Sequence, residues 1–152
     1  MTASSRPEFL VPTRGERVFN RIFGALVRLG VGLSHNYLLE VRGRTTGRVY
    51  GTPVNVIDVG GRRFLVAGRG RAQWVRNAEV APDVTLKRGR RREAWTLRPL
   101  TNDEKPEILA TYLDRYRRTV QRYFPIAAGS PPSAFAPFAD RYPVFELRQR
   151  RD

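Results

Sequence analysis

The chain has 152 residues, 41% of them apolar, enough for one domain with a buried core and too many for wholesale disorder. Its 28 Lys/Arg against 14 Asp/Glu leave a net charge of +14, which suits a nucleic-acid binder, a contact with anionic membrane, or an enzyme for anionic ligands. The absence of cysteine excludes disulfides, thiolate metal sites and a cysteine nucleophile, and one histidine, His35, leaves no basis for expecting a metal.

Met1–Gly15 is polar, carries two prolines and reads as a flexible N-terminus with no signal-peptide core. Residues 16–152 are expected to form a single domain. Glu16–Ser34 has helical spacing, with Val18, Phe19, Ile22, Phe23, Leu26, Val27 and Leu29 on one face and Arg17, Arg21 and Arg28 beside it. Two readings stand for this helix: packing on the domain or a partner subunit, or lying on an anionic membrane surface. The longest uncharged apolar stretch, Leu29–Leu39, is too short to span a bilayer. The expected location is cytoplasmic, with peripheral membrane contact through residues 16–34 as the variant.

From Asn36 the pattern changes to short strands. Tyr37–Val41 is a compact apolar strand and Arg48–Val59 alternates in part. Gly60-Gly61 marks a hairpin turn, and Arg63–Ala67 returns as a buried strand. Ala72–Ala78 suits a short helix ending near Pro82. Val84–Lys87 and Arg91–Leu100 pair as a second hairpin about Arg88-Gly89-Arg90. Thr101–Asp103 offers N-caps for a helix running to about Phe124, with Ile108, Leu109, Tyr112, Leu113, Tyr116 and Val120 on its face. A Pro/Ser/Ala loop, Pro125–Pro137, precedes a last strand at Val144–Arg148. About six strands in hairpins, with flanking helices, predict a small antiparallel β-barrel.

Charge is concentrated between Arg42 and Arg98, where fourteen Arg/Lys face four Asp/Glu. Arginine supplies 26 of the 28 basic residues, a bias that genome base composition also produces. Two glycine-bearing segments interrupt the stretch. Arg42-Gly43-Arg44-Thr45-Thr46-Gly47-Arg48 joins two strands and offers backbone N–H groups, hydroxyls and guanidinium groups to a phosphate or carboxylate. It lacks the Gly-Lys-Ser/Thr ending of a nucleoside-triphosphate loop and does not match the dinucleotide fingerprint, and a solvated basic turn has the same composition. Gly68-Arg69-Gly70-Arg71-Ala72-Gln73-Trp74 leaves a strand and enters a helix, whose first N–H groups favour an anion or electron-rich ligand. Trp74 and Asn77 lie three apart on that helix, though a core anchor and a local hydrogen-bonding residue fit them equally.

Nucleophilic and paired-carboxylate catalysis have no candidates, so an enzyme of this composition would rely on a cofactor for its reactive centre. Tyr112, Tyr116 and Tyr123 form a partial stripe. Tyr112 and Tyr116 are the candidates for a proton or hydrogen-bond donor, and core packing is the other reading of both.

These segments carry a resemblance to the deazaflavin-dependent nitroreductase family, which includes deazaflavin-dependent quinone reductases. Leu39–Gly47 followed by Thr52-Pro53-Val54 is similar to its strand, Gly-Arg-Lys/Thr-Ser/Thr-Gly turn and Pro-Leu strand. Gly60–Ala67 resembles its Gly-Gly hairpin. Gly68–Gly70 leading to Trp74-Val75-Arg76-Asn77 resembles its Gly-rich loop before Trp-x-x-Asn-Leu, and Pro82–Leu86 its Asn-Pro-x-Val strand. The likeness covers Tyr37–Arg92, and more weakly the following helix and Tyr142–Phe145. Tyr50 stands where the family has a basic residue.

The resemblance implies a split β-barrel of the flavin-reductase-like kind and coenzyme F-420 as cofactor, with FMN the less favoured choice. By the same carry-over, Arg44, Thr45, Thr46 and Gly47 contact the cofactor's phosphate and oligoglutamate tail. Gly68, Arg69, Gly70, Arg71 and Ala72 border the deazaflavin ring, with Trp74 and Asn77 in support. The implied activity is hydride transfer to a small-molecule acceptor, quinone-like or nitroaromatic, by a protein that is a monomer or a homodimer. Two other classes remain: a nucleic-acid-binding barrel, disfavoured because Tyr50, Phe64, Trp74 and Trp95 form no exposed stripe for base stacking, and a non-catalytic cofactor-binding protein. Lys87–Arg92 has no assigned ligand.

Overall fold

The computed structural model describes residues 36–150. The expectations for Met1–Gly15, for the Glu16–Ser34 helix with its membrane contact, and for His35 lie outside the described residues. Among the described residues no helix is long and apolar enough to cross a membrane.

Among the described residues six strands are present: β1 (Asn36–Arg42), β2 (Val49–Val59), β3 (Arg62–Val66), β4 (Asp83–Arg88), β5 (Arg91–Pro99) and β6 (Val144–Gln149). They close into an antiparallel barrel in the order β1-β2-β3-β6-β5-β4, with β4 completing the ring against β1 through Leu38–Lys87, Leu39–Leu86 and Glu40–Thr85. The two-residue turn at Gly60-Gly61 requires positive φ at both positions, and the values are 59° and 77°. The second hairpin turns on Gly89, with φ of 60°, so that Arg88 and Arg91 pair as its last ladder residues.

Alternation divides the apolar residues into two cores. Leu39, Val41, Val56, Leu65, Val84, Leu86, Leu97, Phe145 and Leu147 fill the barrel interior. Helix α1 (Gln73–Val80) covers one end of it through Ala72, Val75 and Ala78, and Trp74 leans on Phe145 with ring centroids 5.7 Å apart. The opposite wall face of β2 and β3, with Ile57 and Phe64, packs under α2 (Lys105–Arg115) in a second core that includes Leu109, Leu113, Phe135 and Tyr142.

The far end of the barrel is closed by a side chain. Arg63 lies over Tyr37 and Trp95, 5.5 and 5.4 Å from their ring centroids, and donates to the Tyr37 hydroxyl and to Glu93. Lys87–Arg92 sits at this end: Lys87 and Arg92 share Glu40 at 3.4 Å each, and Arg88 covers the Tyr37 ring. The aromatic rings here are therefore faced by guanidinium groups.

Two sequence expectations need correction. The helix expected to run to Phe124 is broken. A 3₁₀ turn (Asn102–Glu104) leads into α2, the chain leaves helical geometry at Tyr116 (φ −111°, ψ 24°), and a four-residue α3 (Arg117–Val120) and a further 3₁₀ turn follow. The Tyr116 hydroxyl reaches across to the Val56 carbonyl at 3.3 Å, a bond to the barrel that periodicity cannot reveal. The Pro125–Pro137 loop is likewise shorter than expected, because 3₁₀ turns run over Pro132–Arg141 with Phe135 and Ala139 buried.

Candidate functional site

The end of the barrel carrying α1 brings both glycine-bearing segments together. The Arg42–Val49 connection is a tight turn. The Gly43 N–H donates to the Arg48 carbonyl at 2.6 Å, the Gly47 N–H to the Gly43 carbonyl at 3.0 Å, and Arg42 Nη1 to the Gly47 carbonyl at 3.1 Å. Gly47 takes φ of 73°, a conformation that side chains resist. Thr46 Oγ1 accepts from the Arg48 N–H and lies 3.4 Å from the Tyr50 hydroxyl, while Thr45 is exposed.

The turn is fastened to α1 by Arg44, which reaches two residues of the helix. Asn77 Oδ1 accepts from the Arg44 N–H at 3.1 Å and from Arg44 Nη1 at 2.8 Å, and Arg44 Nη1 also reaches Gln73 Oε1 at 3.0 Å. Asn77 is buried. Its role as an anchor between segments 33 residues apart was not legible from the helix alone. Arg44 Nε and Nη2 remain unused among the described residues.

The second segment bends through Gly70 (φ 90°), where the Gly70 N–H donates to Ala67 and the Ala72 N–H to Gly70. Ala72 then starts α1 with no capping side chain and no acid in the first turn, so the helix start keeps its partial positive charge. Gly68 lies against α2: a Cβ there would stand 3.2 Å from the Tyr112 hydroxyl. Arg69 is half-buried, and Arg71 is exposed.

A cleft of about 280 Å³ lies beside this junction, lined by Arg44, Arg71, Arg76, Glu79 and Val80. Arg76, Glu79 and Gln73 were not among the sequence candidates. Their signal was available as the 73–76–79 spacing, one exposed stripe of an eight-residue helix. Among the described residues, three guanidinium groups face one carboxylate here, and Arg44 is held only by neutral amides. A group with several negative charges fits this donor set.

The ladder between β2 and β3 stops at Val56–Leu65. Among the described residues, Val49–Asn55 pairs only with β1. Tyr112 lies against Gly68 and Tyr116 against Val56, with their ring centroids 5.6 Å apart. Burial pushes the Tyr112 hydroxyl above its ordinary range, with Tyr116 adding to the effect, and burial raises Tyr116 as well. No group of side chains among the described residues is arranged to hold a metal ion.

A closed six-stranded antiparallel barrel with flanking helices is the fold of flavin- and deazaflavin-reductase-like proteins. The chain belongs to the F420H(2)-dependent quinone reductase family, whose sequence profile matches residues 14–127. No curated protein matches it in sequence. In fold it is similar to a protein of unknown function from Agrobacterium tumefaciens str. C58, at 17% identity and a TM-score of 0.58 over 93% of this chain and 58% of that one. The chain thus spans little more than half of that structure's length. It is similar to a structure described as a domain-swapped dimer, at 20% identity and a TM-score of 0.55 over 89% of this chain and 94% of the other. It is also similar to an F420-H2 dependent reductase (FDR-A), at 19% identity and a TM-score of 0.51 over 78% of this chain and 100% of that one.

Proposed function

We propose that this protein is an F-420-dependent oxidoreductase for quinone-like or nitroaromatic acceptors. The observation that carries the reading is the Arg44–Asn77 joint, which sets a cluster of three guanidinium groups, offset by Glu79 alone among the described residues, beside the Gly68–Ala72 loop. Membership of an F420H(2)-dependent family supports F-420 as the cofactor, and the donor set suits its phosphate and oligoglutamate tail.

In this reading Arg44, with the Thr45 and Thr46 hydroxyls, holds the phosphate and tail, while Gly47, whose N–H is spent on the Gly43 carbonyl, shapes the turn. Arg71 and Arg76 extend the same charged surface. Gly68, Arg69, Gly70 and Ala72 border the ring, where small residues and φ near 90° at Gly70 allow backbone to approach closely. When bound, reduced F-420 supplies a hydride to the acceptor. The chain contributes orientation and positive charge, which act best where the groups are already fixed before the ligand arrives. Trp74 and Asn77 support the loop and turn from α1. We assign Tyr112 and Tyr116 to positioning rather than proton transfer, because burial disfavours ionisation of the first and the second already donates to Val56.

Fluorescence titration with oxidised F-420, FMN and short oligonucleotides at physiological salt tests the reading. Saturable F-420 binding at micromolar concentration is expected, and its absence overturns the proposal. Binding to oligonucleotides alone, with steep salt dependence, supports a nucleic-acid barrel instead. Turnover of reduced F-420 with a soluble quinone and with a nitroaromatic compound then identifies the acceptor. Homodimer formation is supported by the similar domain-swapped structure and is read by light scattering of the purified chain.

A further inference from the structure

Within the cleft beside α1, Glu79 is the single carboxylate among three guanidinium groups. Arg71 Nε and Nη2 both donate to its Oε1, at 3.1 and 2.8 Å. The helix dipole gives no reason for an acid at this position. Glu79 lies in the last turn of α1, where the unpaired carbonyls disfavour negative charge, and the first turn, where an acid would help, has none. The ion pair is also exposed, 51% at Arg71 and 40% at Glu79, so it contributes little to folding. Its neighbours are differently placed. The Arg76 side chain has no hydrogen bond or ion pair among the described residues, and Arg44 meets only amide oxygens.

We propose that Glu79 is a placeholder for the ligand's own anionic groups. Its carboxylate holds Arg71 in the cleft until a phosphate or carboxylate of the ligand replaces it. No covalent bond changes; one ion pair is exchanged for another. The consequence is selectivity. A ligand with a single negative charge breaks one contact to gain one, a near-even exchange. A polyanion that also reaches Arg44 and Arg76 keeps a surplus. Glu79 therefore sets a threshold on ligand charge. The identity of the polyanion as F-420 rests on the reading above, whereas the exchange at Arg71 does not.

The test compares wild type with Glu79→Gln, which keeps the side chain's size at an exposed position. Each is titrated with F-420, with its phosphate- and tail-free chromophore 8-hydroxy-5-deazariboflavin, and with inorganic pyrophosphate. Fluorescence and the ¹⁵N resonance of Arg71 Nε are the readouts. The variant is expected to bind pyrophosphate and F-420 about 5-fold tighter, the scale of one exposed ion pair, and to bind the tail-free chromophore unchanged. Equal or weaker binding of the polyanions by Glu79→Gln overturns the proposal, as does pyrophosphate that leaves the Arg71 resonance unmoved at millimolar concentration. An Arg71→Ala background provides the second arm: the gain should vanish there, and its persistence overturns the exchange at Arg71. Pyrophosphate binding with the Glu79 effect but no F-420 binding removes the cofactor reading and keeps the placeholder. F-420 binding unaltered by the variant does the reverse.

Discussion

Asn77 Oδ1 receives two hydrogen bonds from Arg44, one from the backbone N–H at 3.1 Å and one from Nη1 at 2.8 Å. One buried oxygen therefore fixes both the path of the turn and the direction of the side chain that projects from it. Removing that oxygen leaves the Arg44 N–H without its acceptor and the guanidinium held by Gln73 alone among the described residues. Asn77→Ala should destabilise the fold by about 1–3 kcal/mol, the cost of losing a partly buried, charge-assisted acceptor. It should also weaken F-420 binding about tenfold while leaving the binding of the tail-free chromophore nearly unchanged. Thermal unfolding and fluorescence titration read the two effects separately. Loss of stability with intact cofactor affinity would show that the joint serves the fold alone.

The paired replacement Arg44→Ala with Thr46→Ala removes the charge and the hydroxyl that the turn offers. F-420 affinity should fall by at least tenfold. The slope of log affinity against log salt should flatten, because fewer cations are left to attract the tail. Unchanged affinity would refute the placement of phosphate and tail at this turn.

Gly68 and Tyr112 are coupled by contact, since a Cβ at residue 68 would meet the tyrosine hydroxyl at 3.2 Å and its ring carbons at 3.4 and 3.7 Å. Gly68→Ala should therefore push the loop outward and weaken F-420 binding. Tyr112→Phe, which removes the nearest atom, should restore part of that loss although the two changes are 44 residues apart. Coupling of this kind appears as non-additivity in a double-mutant cycle. Tyr112→Phe alone should alter turnover less than threefold and remove no alkaline limb from the pH profile, because burial keeps the wild-type hydroxyl protonated. A large loss of turnover with unchanged F-420 affinity would instead return Tyr112 to the role of proton donor.

What the sequence discloses here is local geometry. Consecutive glycines at 60 and 61 demand a turn that only positive φ permits, and alternation in β4 and β5 sorts Val84, Leu86 and Leu97 to the inside. The same logic fails wherever a distant contact decides. Tyr116 ends α2 early while its hydroxyl bonds Val56, 60 residues away, and the Pro-rich segment is ordered by burying Phe135 under α2. Both segments of the candidate site are legible as glycine and arginine clusters. That Arg44 would close onto Asn77, and that Gln73, Arg76 and Glu79 would line the result, depends on how the barrel places α1 over the turn.

Glu146 is the last element of the arrangement with a sharp consequence. It is buried on β6 and accepts from Arg62 Nε at 2.6 Å and from Arg98 Nε and Arg148 Nε at 3.0 Å each. The Arg62 bond above all, opposed by burial and reinforced by Arg148 and Arg98, lowers its pKa from 4.5 to about 2. A carboxylate whose pKa is depressed by folding stabilises the native state above its unfolded value and loses that contribution as pH falls. The contribution of Glu146 is thus complete above pH 4.5 and disappears on approach to pH 2. Glu146→Gln should lower the melting temperature at pH 7 and flatten its decline between those limits. A variant whose melting temperature falls with acid as steeply as the wild type would show that other carboxylates, Glu104 with its Arg98 pair first among them, govern acid unfolding.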